Sequence, residues 1–295
     1  MFPEIFKKEK TMSPRSEAIK ARPFLKWVGG KTQLLSQFEA YYPKDFNNYF
    51  EPFLGGGAVF FDLSPVTAHL NDVNTTLIAA YKNLKNKPNE IARILKRLDT
   101  QYKKGNIEER SILFYRIRES FNNLPSAEIK KTAYLIFLNK TCFNGMYREN
   151  SSGGYNSPFG KYKKPSILDQ ENLFKVSKTL KKVKLTSLPF EKALASTRKG
   201  DFIYFDPPYY PLNKTSNFTS YHKDSFTEDD QLRLRDIFID LDKRGCFVML
   251  SNSCTDFVKT IYGGFRQEVV MANRAINCKA SGRGKIEELL IMNYK

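Results

Sequence analysis

The sequence predicts an α/β protein, a parallel sheet whose strands alternate with helices, interrupted by a helical insertion. Three observations predict it. Strand-like and helix-like segments alternate from Phe24 to about Lys85. From Lys87 to about Asn139 only helical periodicity is found. After Ser166 the alternation resumes. With 295 residues and 41% hydrophobic content, the chain has material for one large core or two smaller ones.

The elements follow in order. "NNYFEPF" is strand-like and runs into "LGGGAVFFDL", a glycine turn and then a helical pattern. "VTAHLNDVN" combines β-branched residues with a polar stop, and "TTLIAAYKNLK" is an amphipathic helix. This βαβα order implies parallel strands, because each crossover needs a helix. "NEIARILKRLDTQY", "ERSILFYRIRESFNNL" and "SAEIKKTAYLIFLNK" carry apolar residues at three-to-four spacing with no strand between them. "TCFNGMYRENSSGGYNSPFGKYKKPS" is rich in Gly, Asn, Ser and aromatics and predicts a hairpin or long ordered loop. Then come a strand, "LKKVKLTSL", a helix, "PFEKALAST", and a continuously apolar strand, "DFIYFD", as a central parallel strand should be. "TEDDQLRLRDIFIDLDKRG" predicts a helix with Thr227 as N-cap and Gly245 as its stop. "CFVMLSN" and "EELLIMNY" are the last strands. We therefore divide the chain into a basic arm (1–21), an α/β domain (22–86 and 167–295) and an inserted domain (87–166).

Composition narrows the function classes. The net charge is +17, with dense cations in "KYKKP", "KTLKKVK" and the stretch from Arg274 to Lys285. Such an excess suits a polyanion, since cations that neutralise phosphates release counterions. The sequence has neither an apolar run of 18 residues nor a secretory h-region, which predicts a cytoplasmic protein. Four separated cysteines and two histidines give little material for a disulfide framework, a zinc site or a Ser-His-Asp hydrolase, so no metal is expected.

Two glycine clusters look like phosphate loops and fail on spacing. Gly30-Lys31-Thr32 lacks the earlier P-loop glycine, that position being Leu25. Gly55 and Gly57 lack the third glycine of a dinucleotide fingerprint, that position being Phe60. A strand ending in "EPFLGGG" still lets backbone approach a ligand closely. The next strand ends at Asp72, which can accept from two ribose hydroxyls or serve as a helix N-cap. A nucleoside cofactor without phosphate loops points to S-adenosylmethionine, for which "FLKWVGGK" supplies Trp27 and Lys31. As ordinary residues these would be a core aromatic and a solvated lysine.

"FIYFDPPYYP" ends an apolar strand with Asp206-Pro207-Pro208-Tyr209. This tetrapeptide resembles the signature of amino-methyltransferases, and their target, an exocyclic amine such as the N6 of adenine, is conjugated into its ring and nucleophilically weak. It needs acceptors around its hydrogens, placed where positive charge develops. Asp206 offers a carboxylate, and Pro207 a carbonyl whose direction is fixed by its own ring and by Pro208. Tyr209 offers a face for a base taken out of the duplex, whereas Tyr210 is read only as a wall.

"DPPY", "FLKWVGGK" and "EPFLGGG" together resemble the Dam-type (D12 class) DNA adenine-N6 methyltransferases, with their motifs in the order of the α group. The resemblance implies a seven-stranded, Rossmann-like S-adenosylmethionine-dependent core with an inserted helical DNA-recognition domain and β-hairpin. It implies that Trp27, Lys31, Pro52, Gly55, Gly57, Asp72 and Asp206 meet the cofactor. The contact to the cofactor's adenine is left open, because many relatives place an acid near Leu188 and here backbone contacts are expected instead. "CFNGMYRENSSGGYNSPFGKYKKP" resembles the family's recognition hairpin. The resemblance implies DNA contacts by Lys26, Phe143, Asn144, Met146, Arg148, Pro158, Lys161 and Tyr162, phosphate contacts by Arg274, Arg283 and Lys285, and GATC as the site. Phe143 and Met146 are similar rather than identical to the family pattern.

The expected partner is double-stranded DNA, with no membrane, a monomeric enzyme at the nucleoid, and a cognate restriction endonuclease as a second partner. An N4-cytosine methyltransferase, an RNA or protein amide methyltransferase, and a non-catalytic DNA-binding restriction partner are the other readings.

Overall fold

The computed structural model describes residues 20–211, 226–273 and 285–295. Seven strands form one sheet in the order β3-β2-β1-β4-β5-β7-β6. They are β1 (Tyr49–Glu51), β2 (Ala68–Asn71), β3 (Val183–Thr186), β4 (Phe202–Phe205), β5 (Phe247–Ser253), β6 (Arg266–Asn273) and β7 (Lys285–Met292). The first five pair in parallel, and β7 lies antiparallel between β5 and β6. The strand order reverses between β1 and β4. In open α/β sheets, ligands bind beyond the carboxyl ends of the strands at such a reversal.

The central strand shows why the sequence chooses this position. Phe202, Ile203, Tyr204 and Phe205 are all at most 1% exposed, so both faces of β4 are covered. Burying each such side chain is worth roughly 1.5–3 kcal/mol. On one face Phe50, Ile203, Phe205, Val248 and Leu250 pack with Leu234, Phe238 and Leu241 of helix Glu228–Lys243. That helix starts in a capping box at Thr227 and stops at Gly245, φ 74°, both as the sequence predicts.

The other face shares one continuous core with the insertion, through residues such as Leu70, Tyr204, Leu95, Phe114 and Phe137. After α1 (Leu35–Phe38) and α2 (Ala58–Leu63), and following β2, the chain forms α3 (Thr75–Asn86), α4 (Pro88–Lys104), α5 (Ile107–Asn123) and α6 (Ile129–Thr141), the last three with no strand between them. Nearly every residue of α6 is buried, so it is the axis of the insertion. The expected hairpin is smaller than a paired ribbon: two isolated antiparallel bridges, Cys142 with Phe159 and Glu149 with Tyr155. Among the elements that escaped the sequence reading are helix Leu35–Phe38, helix Gln170–Thr179, helix Asp256–Ile261 and the edge strand β6. Among the described residues no helix is long and apolar enough to cross a membrane.

Candidate active site

β4 delivers Asp206 to its carboxyl end, and a residue far away in sequence meets it there. Lys31, in the turn after Trp27, lies 2.7 Å from Asp206 Oδ1 and donates to Oδ2 at 2.9 Å. Its ammonium also donates to the Gly29 carbonyl at 2.6 Å and sits 4.7 Å from the Tyr209 ring centroid. Lys31 is 3% exposed, which excludes the alternative of a solvated lysine. A buried cation needs this pairing, because taking it out of water unpaired costs several kcal/mol. Asp206 and Tyr209 are themselves largely covered rather than open. Burial pushes the Asp206 carboxyl above the usual carboxylate range, and Lys31 opposes that rise.

The rest of the tetrapeptide is clamped from behind. Gln231 Nε2 donates to the Pro208 carbonyl at 3.0 Å, and Asn252 Oδ1 accepts from the Tyr210 amide at 3.1 Å. Asn252 Nδ2 in turn donates to Gln231 Oε1 at 3.0 Å. The Pro207 carbonyl has no such partner among the described residues. Tyr210 stacks on Phe257 with centroids 4.4 Å apart. Tyr209 Oη donates to Glu288 at 2.6 Å, a contact that the sequence did not announce.

The first two strands build the neighbouring cleft. Asp72 accepts from the amides of Gly55 and Asn74, each at 2.9 Å. The cap of α3 is Asn74, whose side chain accepts from the Leu77 amide at 2.9 Å, so the N-cap alternative for Asp72 is excluded. Gly55 has φ 48°, and a Cβ there would come within 2.9 Å of Trp27, so this glycine lets the indole lie on the loop. Pro52 is buried and its carbonyl accepts from Asn71 Nδ2 at 3.1 Å; Gly57 is the left-handed residue that opens helix Ala58–Leu63. Glu51, buried beneath them, was missed by the sequence reading. Burial pushes its carboxyl well above the usual range, although Tyr49 Oη donates to it at 2.9 Å. The backbone N–H and carbonyl of Leu188, expected at the cofactor's adenine, are both engaged by Asn71. Val73 and the Leu188 side chain remain as exposed apolar surface at the ends of β2 and β3. A glycine-lined floor, an aromatic wall, a carboxylate at the second strand and a buried Lys–Asp pair suit the ribose, sulfonium and aminocarboxylate of S-adenosylmethionine.

The segment carrying Trp27 also reaches the insertion. Trp27 stacks on Tyr147 at 4.9 Å. Asn139, 1% exposed on α6, accepts from the Lys26 amide at 2.8 Å and donates to the carbonyls of Lys26 and Gly145, each at 2.9 Å. Asn144 and Gly145 take φ 58° and 68°, the left-handed pair that an Asn-Gly turn favours. Lys26, Asn144 and Met146 thus line one cavity of about 660 Å³, which does not include Asp206. Phe143, Arg148 and Pro158 are exposed beside it. Lys161 lies apart, with Lys103, Arg110, Lys163 and Lys164, in a basic hollow of about 820 Å³. Tyr162 joins the two regions: its hydroxyl accepts from the Asn144 amide at 3.1 Å, and its carbonyl from Tyr102 Oη at 2.7 Å. Arg274 and Arg283 lie outside the described residues, and Lys285 opens β7.

Known proteins resemble this chain over most of its length. Residues 27–276 match the family described as D12 class N6 adenine-specific DNA methyltransferase. The type II methyltransferase M.MjaIII of Methanocaldococcus jannaschii is 46% identical, over 94% of this chain and 100% of that protein. M1.LlaDCHI of Lactococcus lactis subsp. cremoris is 41% identical over 94% and 96%. The DNA adenine methylase of Escherichia coli is 33% identical over 94% and 96%. The chain belongs to the D12 class of N6 adenine-specific DNA methyltransferases, enzymes that use S-adenosylmethionine to methylate adenine in DNA.

Proposed function

We propose that this enzyme methylates the adenine of GATC and that Asp206, Pro207, Pro208 and Tyr209 form its reaction centre. The observation that carries the catalytic part is the Asp206 carboxylate held at the end of β4 by Lys31, beside the Tyr209 ring. The cofactor supplies an electrophilic methyl group. Asp206 and the Pro207 carbonyl accept the two amine hydrogens, which favours nitrogen as it gains positive charge. The Gln231–Asn252 clamp fixes Pro208 and Tyr210 so that this geometry does not reorganise during reaction. Tyr209 stacks on the extruded base. Trp27, Lys31, Pro52, Gly55, Gly57 and Asp72 hold the cofactor.

In this reading residues 87–166 are the recognition domain, set into a catalytic domain of 22–86 and 167–295 behind a basic arm, 1–21. Lys26 and Arg148 read guanines, since bidentate cations suit that base. Asn144 forms the tight turn with Gly145, Phe143 wedges or stacks where the target base leaves, and Met146 and Pro158 meet a thymine methyl. Lys161, Tyr162, Arg274, Arg283 and Lys285 meet the backbone. The enzyme works as a monomer at the nucleoid, and an endonuclease of the same site is the partner to seek. The choice of GATC is supported by Lys26, Asn144, Arg148 and "SPFGKY", which follow the family's recognition pattern.

The test is Asp206→Ala on a duplex with one GATC. Methylation is expected to vanish while duplex binding survives; persistent methylation would remove Asp206 from the mechanism. Product that is mainly N4-methylcytosine, or N6-methyladenine confined to other sequences, would overturn the target assignment.

A further inference from the structure

We propose that Glu288 is a positioning residue of the methyl-transfer site, one that fixes the Tyr209 ring against the extruded base through a hydrogen bond to its hydroxyl. The proposal rests on the reading of Tyr209 given above. It begins with the topology. β7 is the one strand that runs against β5, and its first half therefore lies at the carboxyl end of the sheet. Glu288 is in register with Ser253, the last residue of β5. Side chains alternate along a strand, so Glu288 shares a face with Leu290 and Met292. Both of those pack in the core cluster that contains Tyr204.

On that face the Glu288 carboxylate accepts from Tyr209 Oη at 2.6 Å. A bond to an ionised acceptor is short and about twice as strong as a neutral one. A tyrosine ring at a loop tip would otherwise turn about two side-chain torsions. Here the hydroxyl is tied at one end, and Lys31 sits over the ring at 4.7 Å. Lys31 also pairs with Asp206, so Glu288, Tyr209, Lys31 and Asp206 form one connected set. Of the two adjacent acids in β7, Glu287 is exposed, whereas Glu288 shares a face with buried Leu290 and Met292, and this bond gives it a partner there.

Four variants test the idea, Glu288→Ala, Glu288→Gln, Tyr209→Phe and the Glu288→Ala/Tyr209→Phe double. The readouts are kcat and KM for duplex DNA, and the fluorescence of 2-aminopurine at the target base, which reports extrusion and stacking. Loss of one charge-assisted bond predicts a fall of about tenfold in kcat for Glu288→Ala. The stacking signal should fall with it, and Glu288→Gln, whose amide oxygen still accepts, should stay within about threefold of wild type. Tyr209→Phe breaks the same bond without touching β7, so it should fall by a similar factor. Glu288→Ala should then add nothing in the Tyr209→Phe background, because residues that act through one bond are not additive. An equal loss from Glu288→Ala in both backgrounds, or an unchanged kcat, would overturn the proposal. Should Asp206→Ala and Tyr209→Ala abolish methylation while Glu288→Ala leaves it intact, this proposal alone fails. Should both leave it intact, the underlying reading fails.

Discussion

Replacing Asn139 with alanine should loosen the joint between the cofactor segment and the recognition turn. The side chain makes three hydrogen bonds there, two to Lys26 and one to Gly145. Each is worth about 1 kcal/mol net, so the expected loss is about 3 kcal/mol. For a chain of this size that corresponds to a fall in Tm of about 5 °C. Differential scanning calorimetry measures it. The loss should not be confined to stability. With Lys26 and Asn144 no longer held in one geometry, kcat/KM for GATC should approach that for duplexes altered at one base, reducing discrimination about tenfold. A Tm within about 2 °C of wild type would refute the hydrogen-bond accounting. A normal fall in Tm with unchanged discrimination would show that the clamp stabilises the fold without ordering the recognition turn.

Other outcomes follow from the same geometry. Gly145→Ala would strain a residue at φ 68° and push a Cβ to within 2.5 Å of the Lys26 side chain, so GATC discrimination should fall while turnover with saturating DNA changes less. Competition between cognate and altered duplexes measures it. In the free enzyme, kcat/KM should fall as pH drops through the raised pKa of Asp206, because only the carboxylate accepts from the amine. Lys31→Met removes the cation that opposes this rise, so the acid limb should move to higher pH in a pH–rate profile; a shift to lower pH would refute the pairing argument.

Local signals carried most of the fold. Thr227 and Gly245 bound their helix because caps are chosen by neighbours a turn away. β4 was legible because both its faces are buried and its whole run is apolar. β6 was not: "RQEVVMAN" leaves Val269 and Met271 exposed at the sheet edge, and its structure comes from pairing with β7. Helix Gln170–Thr179 was hidden because its charges merge with the basic run that follows. The site divides in the same way. Asp206, Tyr209 and the glycine loop are contiguous motifs and could be read. The burial of Lys31, the clamp by Asn139 and the acceptor Glu288 each depend on a partner more than 75 residues away. No local pattern encodes such a meeting.

These long-range contacts converge on one short segment, residues 24–32. Its backbone is held by Asn139 at Lys26, its indole lies between the Gly55 loop and Tyr147, and its ammonium at Lys31 pairs with Asp206. In the proposed reading, chemistry, cofactor cleft and recognition turn share one packed segment rather than three separate supports. A packed interior transmits displacement instead of absorbing it, so a shift of Trp27 must be felt at both Tyr147 and Lys31. The proposed roles therefore predict that sequence reading and methyl transfer are coupled through this segment. Substitutions within it should alter kcat and site discrimination together, whereas substitutions in the basic hollow at Lys103 and Lys163 should alter the salt dependence of binding alone.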